Sequence, residues 1–389
     1  MIYLLILIYL MLCVYWIDYK KKVKYKKLWY WSLCIVFIVL SGFRYKIGTD
    51  TIMYIDSWND YFTIWDGSIG DVIAKTIYRN PQMERFGLGW MLYATIVKSI
   101  CSHFNTVLII TASILNFSIF YIIIKLSKYI FTTLLLFYFN FKFLEFEFEI
   151  LRESLAVAVF LLLCVKNYKN KKWFKYYIGC CLAFLVHYSI IFMFLLPLIR
   201  NIRLSAVQYS IYCYFPSLVF GIIGRMMFGT ILSLFLGDSG YMGEYVASAF
   251  LKEFNLNYIL MYAFQPFILY VYIICNWNYL SKSDYTSLLF FTLIFMNFSL
   301  IYFTAVRLVS ALIVLDCVII APIFIHMMKK YRTILVPLLM LCVYNIPTIY
   351  SFCKEPLMLA RYYPYQWIIY PNQSKEQQDA EYFRLHPQY

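Results

Sequence analysis

From Met1 to Tyr350 the chain alternates long apolar blocks with short polar connectors, and that alternation limits the folds open to it. The blocks run near residues 1–17, 28–43, 87–100, 107–124, 129–144, 151–165, 176–199, 206–223, 258–275, 288–303, 308–327 and 333–350. A bilayer's hydrocarbon is about 30 Å thick and takes roughly 17–25 mostly apolar residues to cross. Within it every backbone amide must be satisfied inside the fold, so such blocks read as helices. A transmembrane barrel would instead show short strands of alternating polarity. The expected fold is therefore all-α: a polytopic transmembrane bundle of about 10–14 membrane helices, some short or broken. It should occupy residues 1–350, with a C-terminal tail over 351–389. Composition agrees. Charged residues make up 14% of the chain, against about 25% in soluble domains.

The formal charge of +14 is not spread as a nucleic-acid face would be. Six lysines crowd Asp18–Lys27 and five crowd Lys166–Lys175, the pattern of cytoplasmic turns between spans. Lys329, Lys330 and Arg332 mark another. Nucleic acid is excluded as a partner on this pattern; the lipid bilayer is the expected surroundings. The first block has no basic residue before it, so it reads as a retained span with an outer N-terminus, not a cleaved signal. Counting from the basic turns places 44–86, 224–257 and the tail outside. The count fails twice. The block at 176–199 runs from one basic turn to another at Arg200–Arg203, and 87–150 has the same fault with Lys125 and Lys128. Either a block breaks into half-helices within the membrane or one basic turn is external. Broken helices are tolerated at membrane depth only around protein or a wet cavity.

Several groups carry possible chemistry. Phe43–Thr51 (FRYKIGTDT) opens the most polar stretch, in which Arg44 follows directly on a span and Asp50 is its expected partner across a turn at Gly48. The stretch closes on Glu84, Phe86 and Gly87. A solvated outer loop is the plain alternative. Glu145, Glu147, Glu149, Arg152 and Glu153 precede an apolar run; on one continuous helix Glu149 would meet Arg152 and Glu153 at i+3 and i+4. His187 is the lone ionisable residue of its block, either a satisfied core group or a functional one. Arg307 and Arg361 stand beside later spans, so several arginines reach one face. Arginine suits phosphate oxygens because its planar fork binds them bidentately. No P-loop, HExxH or GxSxG pattern occurs. The eleven cysteines form no CxxC pair, and the four histidines are dispersed, so neither a metal nor a cofactor is expected.

The succession FRYKIGTDT–Tyr54, Glu84-x-Phe86-Gly87, Leu151-Arg152-Glu153-Ser154-Leu155-Ala156 and Leu182-Ala183-Phe184-x-x-His187-Tyr188-Ser189 resembles EpsG-family membrane proteins. These are similar to Wzy-type polysaccharide polymerases. The Arg307 segment and the Tyr363-Pro364-Tyr365 tail fit the same pattern. One departure is Glu153, where the family commonly has Gln; this leaves open whether the position touches substrate or pairs with Arg152.

The resemblance implies a bacterial inner-membrane polymerase of undecaprenyl-pyrophosphate-linked oligosaccharides, acting at the outer face. The product would be O-antigen, capsule or exopolysaccharide. A flippase and a chain-length regulator are the implied partners. Arg44, Arg152, Arg307 and Arg361 are the expected pyrophosphate or sugar ligands. His187 is the expected general base, with Glu84 and Asp50 as rivals. A flippase for the same lipids, or a membrane acyltransferase using His187, remains as an alternative.

Overall fold

The computed structural model describes residues 2–22, 24–235, 256–281, 285–301, 305–354 and 359–385. These residues are mostly helical, with no strand among them and one isolated β-bridge between Arg44 and Trp367. The all-α expectation therefore holds, and the chain is a multi-pass membrane protein. Among the described residues, four helices are long and apolar enough to cross a bilayer: Ile2–Tyr19, Phe104–Leu126, Ala206–Arg225 and Ala305–Tyr331. A bent pair, Leu335–Tyr344 and Ile346–Lys354, makes a fifth when taken as one span. Shorter apolar helices, such as Leu88–Ile100 and Trp173–Val186, accompany them.

The chain forms two compact units, Met1–Phe194 with Thr348–Tyr389, and Leu195–Pro347. The first contains α1 (Ile2–Cys13, continued as a π-helical turn to Tyr19), α2 (Lys26–Gly42), α3 (Thr49–Trp58), α4 (Ile69–Arg79), α5 (Leu88–Ile100) and α6 (Phe104–Leu126). It continues with α7 (Ile130–Phe139), α8 (Phe141–Leu144), α9 (Leu151–Leu163), α10 (Val165–Lys169) and α11 (Trp173–Val186). Helix α6 is the central post. Val107, Leu108, Thr111, Ala112, Leu115, Ile119, Ile122 and Ile123 are buried along it. Their helical spacing lets α2 and α9 both pack on it. A Cβ on Gly42 would lie 3.1 Å from Ile109 Cα, so α2 and α6 approach closely there. Close backbone approach through small residues is how helices associate in lipid. Asp18 is buried and accepts from the Thr132 amide at 2.8 Å and its hydroxyl at 2.9 Å. It thereby caps the orphan first turn of α7.

Several short helices decide where the site lies. At 1.5 Å per residue the 13 residues of α5 reach about 20 Å, and the 23 of α6 about 35 Å. Helix α5 is therefore too short for an upright crossing, and its last turn is tied back: Lys98 Nζ donates to the carbonyls of Trp58 (2.8 Å) and Tyr61 (2.5 Å). Helix α5 is thus a short element within 87–150, one of the stretches where the count from the basic turns fails. The block at 176–199 does break. Helix α11 ends at Val186, His187 is extended (φ −153°, ψ 133°), and a 3-10 stretch, Tyr188–Leu195, follows. Helix α7 likewise stops at Phe139 and α9 restarts only at Leu151.

Residues 44–86 are not a loose connector. They hold α3, α4 and two 3-10 turns, Ile64–Asp66 and Pro81–Arg85. Trp58 Nε1 donates to Ser102 O at 2.6 Å, and Trp90 Nε1 to the Tyr61 hydroxyl at 3.0 Å. Of the expected outer loop at 224–257, residues 236–255 lie outside the described residues.

The second unit is built on Tyr209, Ile273, Leu289, Phe290, Leu293, Ile319 and Ile323, with Tyr209 and Phe290 stacked at 3.9 Å. Its buried polar groups are bonded side to side: Thr292 Oγ1 donates to Asp316 at 2.8 Å and Arg225 to Ile301 O at 2.9 Å.

Candidate active site

The motif segments converge within the first unit. Glycines make the convergence possible. Gly87, at the start of α5, faces the end of α11: a Cβ there would lie 2.4 Å from Leu185 O and 2.7 Å from Val186 O. Gly89 meets Val186 in the same way. The Glu84–Gly87 motif is thus pressed against the residues just before His187. Gly48 has φ +93°, and a Cβ on it would lie 1.8 Å from Phe148 O. This brings the turn after α2 onto the break before α9.

Arg152 stands in the first turn of α9, half-buried. Its Nε donates to the Tyr54 hydroxyl at 2.8 Å, and its guanidinium carbon lies 4.0 Å from the Phe86 ring centroid. One arginine therefore joins three motifs distant in sequence. Among the described residues, nothing hydrogen-bonds to its two Nη groups. Glu153, the next residue, is 1% exposed and belongs to the bundle interior.

Arg44 is placed differently from the expectation of a ligand-facing arginine paired with Asp50. It is 1% exposed, and Nη1 donates to Ser41 O and Nη2 to Thr51 Oγ1 (3.3 Å). Thr51 in turn donates to Phe148 O at 3.0 Å. The acid whose charge acts on Arg44 is Glu147, also 1% exposed. Glu147 accepts from Asn116 Nδ2 at 2.9 Å. The two charges act on each other without an ion-pair contact among the described residues, and both lie between the end of α2, the centre of α6 and the break before α9. Asp50 is half-buried on α3 and engaged elsewhere.

The expected i, i+3 meeting of Glu149 with Arg152 rests on a helix that does not run through. Glu145–Glu149 is a π-helical turn that ends at Ile150 (φ −90°, ψ 62°), and α9 begins after it. The acids disperse accordingly. Glu145 pairs with Lys142, Glu147 turns inward, and Glu149 accepts from the Tyr362 hydroxyl at 2.5 Å.

The tail joins the site. Tyr45 N donates to Gln366 O and Ile368 N to Phe43 O, each at 3.0 Å, and Gly48 N to Arg361 O at 3.3 Å. The Tyr365 hydroxyl reaches Leu40 O at 2.6 Å, and Lys46 pairs with Glu381 on the last helix, Lys375–Leu385. Arg361 borders a small polar cleft with Tyr45, Lys46, Gln373 and Glu381. Arg307 belongs to the second unit, half-buried in the 3-10 turn Ala305–Leu312.

His187 is 8% exposed, stacked on Tyr188 at 4.4 Å. Its Nδ1 lies 2.9 Å from Ser189 Oγ and receives the Ser189 amide at 3.3 Å. A backbone N–H can only donate, so Nδ1 is the acceptor and a neutral ring carries its proton on Nε2. Glu84 is exposed on the turn before Phe86. Among the described residues, no three His, Cys, Asp or Glu side chains gather as a metal site would need.

The EpsG family model matches residues 27–367, which takes in the segments that carry Arg44, Tyr54, Phe86, Arg152 and His187. The chain belongs to the EpsG family. No curated protein and no solved structure matches it. The family match runs from the first turn of α2 to Trp367 of the Arg44–Trp367 bridge, so the tail lies within the family's extent as far as that bridge and the helix Lys375–Leu385 lies beyond it.

Sequence reading named Arg152, Glu84 and His187, and these lie on segments that meet. It passed over Tyr54, Phe86 and Asn116 as functional residues. Asn116 carried a signal of its own, being an amide in the middle of an apolar block, while Tyr54 and Phe86 were marked only as motif members. Tyr54 and Phe86 lie among 81 other aromatic residues of similar character, since the chain holds 39 Tyr, 35 Phe and 9 Trp.

Proposed function

We propose that this EpsG-family protein is a polysaccharide polymerase of the bacterial cytoplasmic membrane, acting at its outer face. It would join oligosaccharide repeat units carried on undecaprenyl pyrophosphate into O-antigen, capsule or exopolysaccharide. The single observation that carries this reading is Arg152, a guanidinium held by Tyr54 and Phe86, with neither Nη group hydrogen-bonded among the described residues. Such a fork suits the oxygens of a pyrophosphate.

In the reaction, the bond between the donor sugar's anomeric carbon and the pyrophosphate oxygen breaks. A new bond forms from that carbon to an acceptor sugar hydroxyl, whose proton passes to a base. Undecaprenyl pyrophosphate leaves with the electron pair. Arg152 would stabilise the charge that develops on the leaving group, a preorganised electrostatic role. Arg361 at the tail cleft would assist on the same unit, and Arg307 is proposed to bind phosphate on its own unit. For the base, the hydrogen bond from Ser189 to His187 Nδ1 favours a carboxylate. Glu84 is exposed and two residues from Phe86, whereas Asp50 is half-buried and engaged. His187 would then help to hold the segment against which the Glu84–Gly87 motif packs.

The test is deletion of the gene, complemented by wild type or Arg152→Ala, with surface polysaccharide resolved on a gel. The polymerase reading expects single repeat units at the surface in the deletion and in the Arg152→Ala strain. Complete loss of surface repeat units would point to a flippase instead.

A further inference from the structure

Arg152 is not simply an arginine near a cleft; its free edge has been selected. A guanidinium can hold an anion end-on, through Nη1 and Nη2, or side-on, through Nε and one Nη. Here Nε is spent on the Tyr54 hydroxyl at 2.8 Å, so only the end-on edge remains. The plane is fixed as well, because the guanidinium carbon lies 4.0 Å from the Phe86 ring centroid. The two supports are themselves held. Tyr54 is 5% exposed and lies against Trp90, with ring centroids 5.4 Å apart. Trp90 is 1% exposed and bonded through Nε1 to Tyr61. Phe86 is carried by the turn that Gly87 presses against α11.

We infer that Tyr54 and Phe86 are positioning residues that fix Arg152 so that it presents only its Nη1–Nη2 edge to a pyrophosphate. This rests on the reading of Arg152 as the pyrophosphate ligand. Immobilising a rotamer-rich side chain on binding costs about 0.5–1.5 kcal/mol, so losing the pre-set position should weaken binding about three- to tenfold. Tyr54→Phe removes one oxygen and leaves the packing on Trp90 intact. Phe86→Leu removes the ring face, and Phe86→Tyr keeps it.

The experiment measures binding of undecaprenyl pyrophosphate to the full chain in nanodiscs, alongside turnover, for variants that remain monodisperse. Tyr54→Phe and Phe86→Leu should each weaken binding three- to tenfold, Phe86→Tyr should restore it, and Arg152→Ala should lose most of it. Arg152→Lys should resemble Arg152→Ala, because lysine has neither Nε nor a planar edge. The separating measurement is Tyr54→Phe in the Arg152→Ala background. Positioning expects no further loss there, whereas a merely structural role expects the same loss as in wild type and overturns the inference. Wild-type binding by Tyr54→Phe and Phe86→Leu, with Arg152→Ala impaired, overturns positioning and leaves the function standing. Wild-type binding by Arg152→Ala overturns both.

Discussion

A single methyl group at Gly48 should unseat the candidate site. Gly48 has φ +93° and ψ 148°, which side chains with a Cβ rarely adopt, and strain of this kind costs on the order of 1–3 kcal/mol. The added Cβ would fall 1.8 Å from Phe148 O and 2.6 Å from its carbonyl carbon, while real Cβ atoms essentially never come within 3.0 Å. Phe148 must therefore retreat by more than an ångström. That breaks the bond it accepts from Thr51, a loss of about 0.5–1.5 kcal/mol, and disturbs the Gly48 amide bond to Arg361 O. The total is about 2–4 kcal/mol. At roughly 2–4 °C per kcal/mol for a large domain, Gly48→Ala should melt about 4–15 °C below wild type. Gly70 is the matched control. It lies in α4 with nothing within 4 Å of a built Cβ, so Gly70→Ala should be neutral or gain about 0.5–1 kcal/mol. Fluorescence-detected size exclusion of heated, detergent-solubilised protein reads both variants. If Gly48→Ala melts within a degree of wild type, the crossing of the Gly48 turn over Phe148 is wrong.

Other outcomes follow from the same packing. Arg44→Met and Glu147→Leu should each destabilise by about 3–5 kcal/mol, by leaving a buried charge uncompensated, while the double variant should cost less than the two added together; strictly additive melting shifts would count against the pairing. Truncation after Ala360 removes the partners of Tyr45, Lys46 and Gly48 and should abolish polymer while leaving protein in the membrane, read by gel and immunoblot. In Lys46, burial pulls the ammonium down, but the hydrogen bond and charge of Glu381 outweigh it and hold its pKa above the ordinary value. A raised lysine contributes its stability fully below the unfolded pKa, about 10.4, and loses it as pH rises through the folded value. Tail docking should thus show no Lys46-dependent change between pH 7 and 9, which protease protection of the tail can check. Finally, Glu84→Gln should bind lipid-linked substrate and fail to turn it over, whereas His187→Gln should keep measurable turnover; the reverse ranking restores His187 as the base.

The helices and a break in the block 176–199 were legible because hydropathy acts locally: a long apolar run in lipid is helical, and basic turns at both of its ends mean either a broken block or one external basic turn. The partners of the buried charges were not legible. Arg44 has its acid partner more than 100 residues away, and Arg152 is bonded 98 residues back along the chain, separations on which spacing rules are silent. The i+3 reading of Glu149 failed for a local reason. A π-turn inserts before α9 and resets the phase of the helix. The tail gave little sign of its docking, because its backbone bonds to Phe43, Tyr45 and Gly48 could be made by any residues and its side-chain partners lie hundreds of residues away.

The central claim is chemical, and purified protein tests it most directly. The full chain in nanodiscs would be given an undecaprenyl-pyrophosphate-linked repeat unit and the products separated by size. The account predicts a ladder of joined repeats with release of undecaprenyl pyrophosphate, lost in Arg152→Ala. Unchanged single units, together with transfer of the same lipid across proteoliposome bilayers, would contradict it.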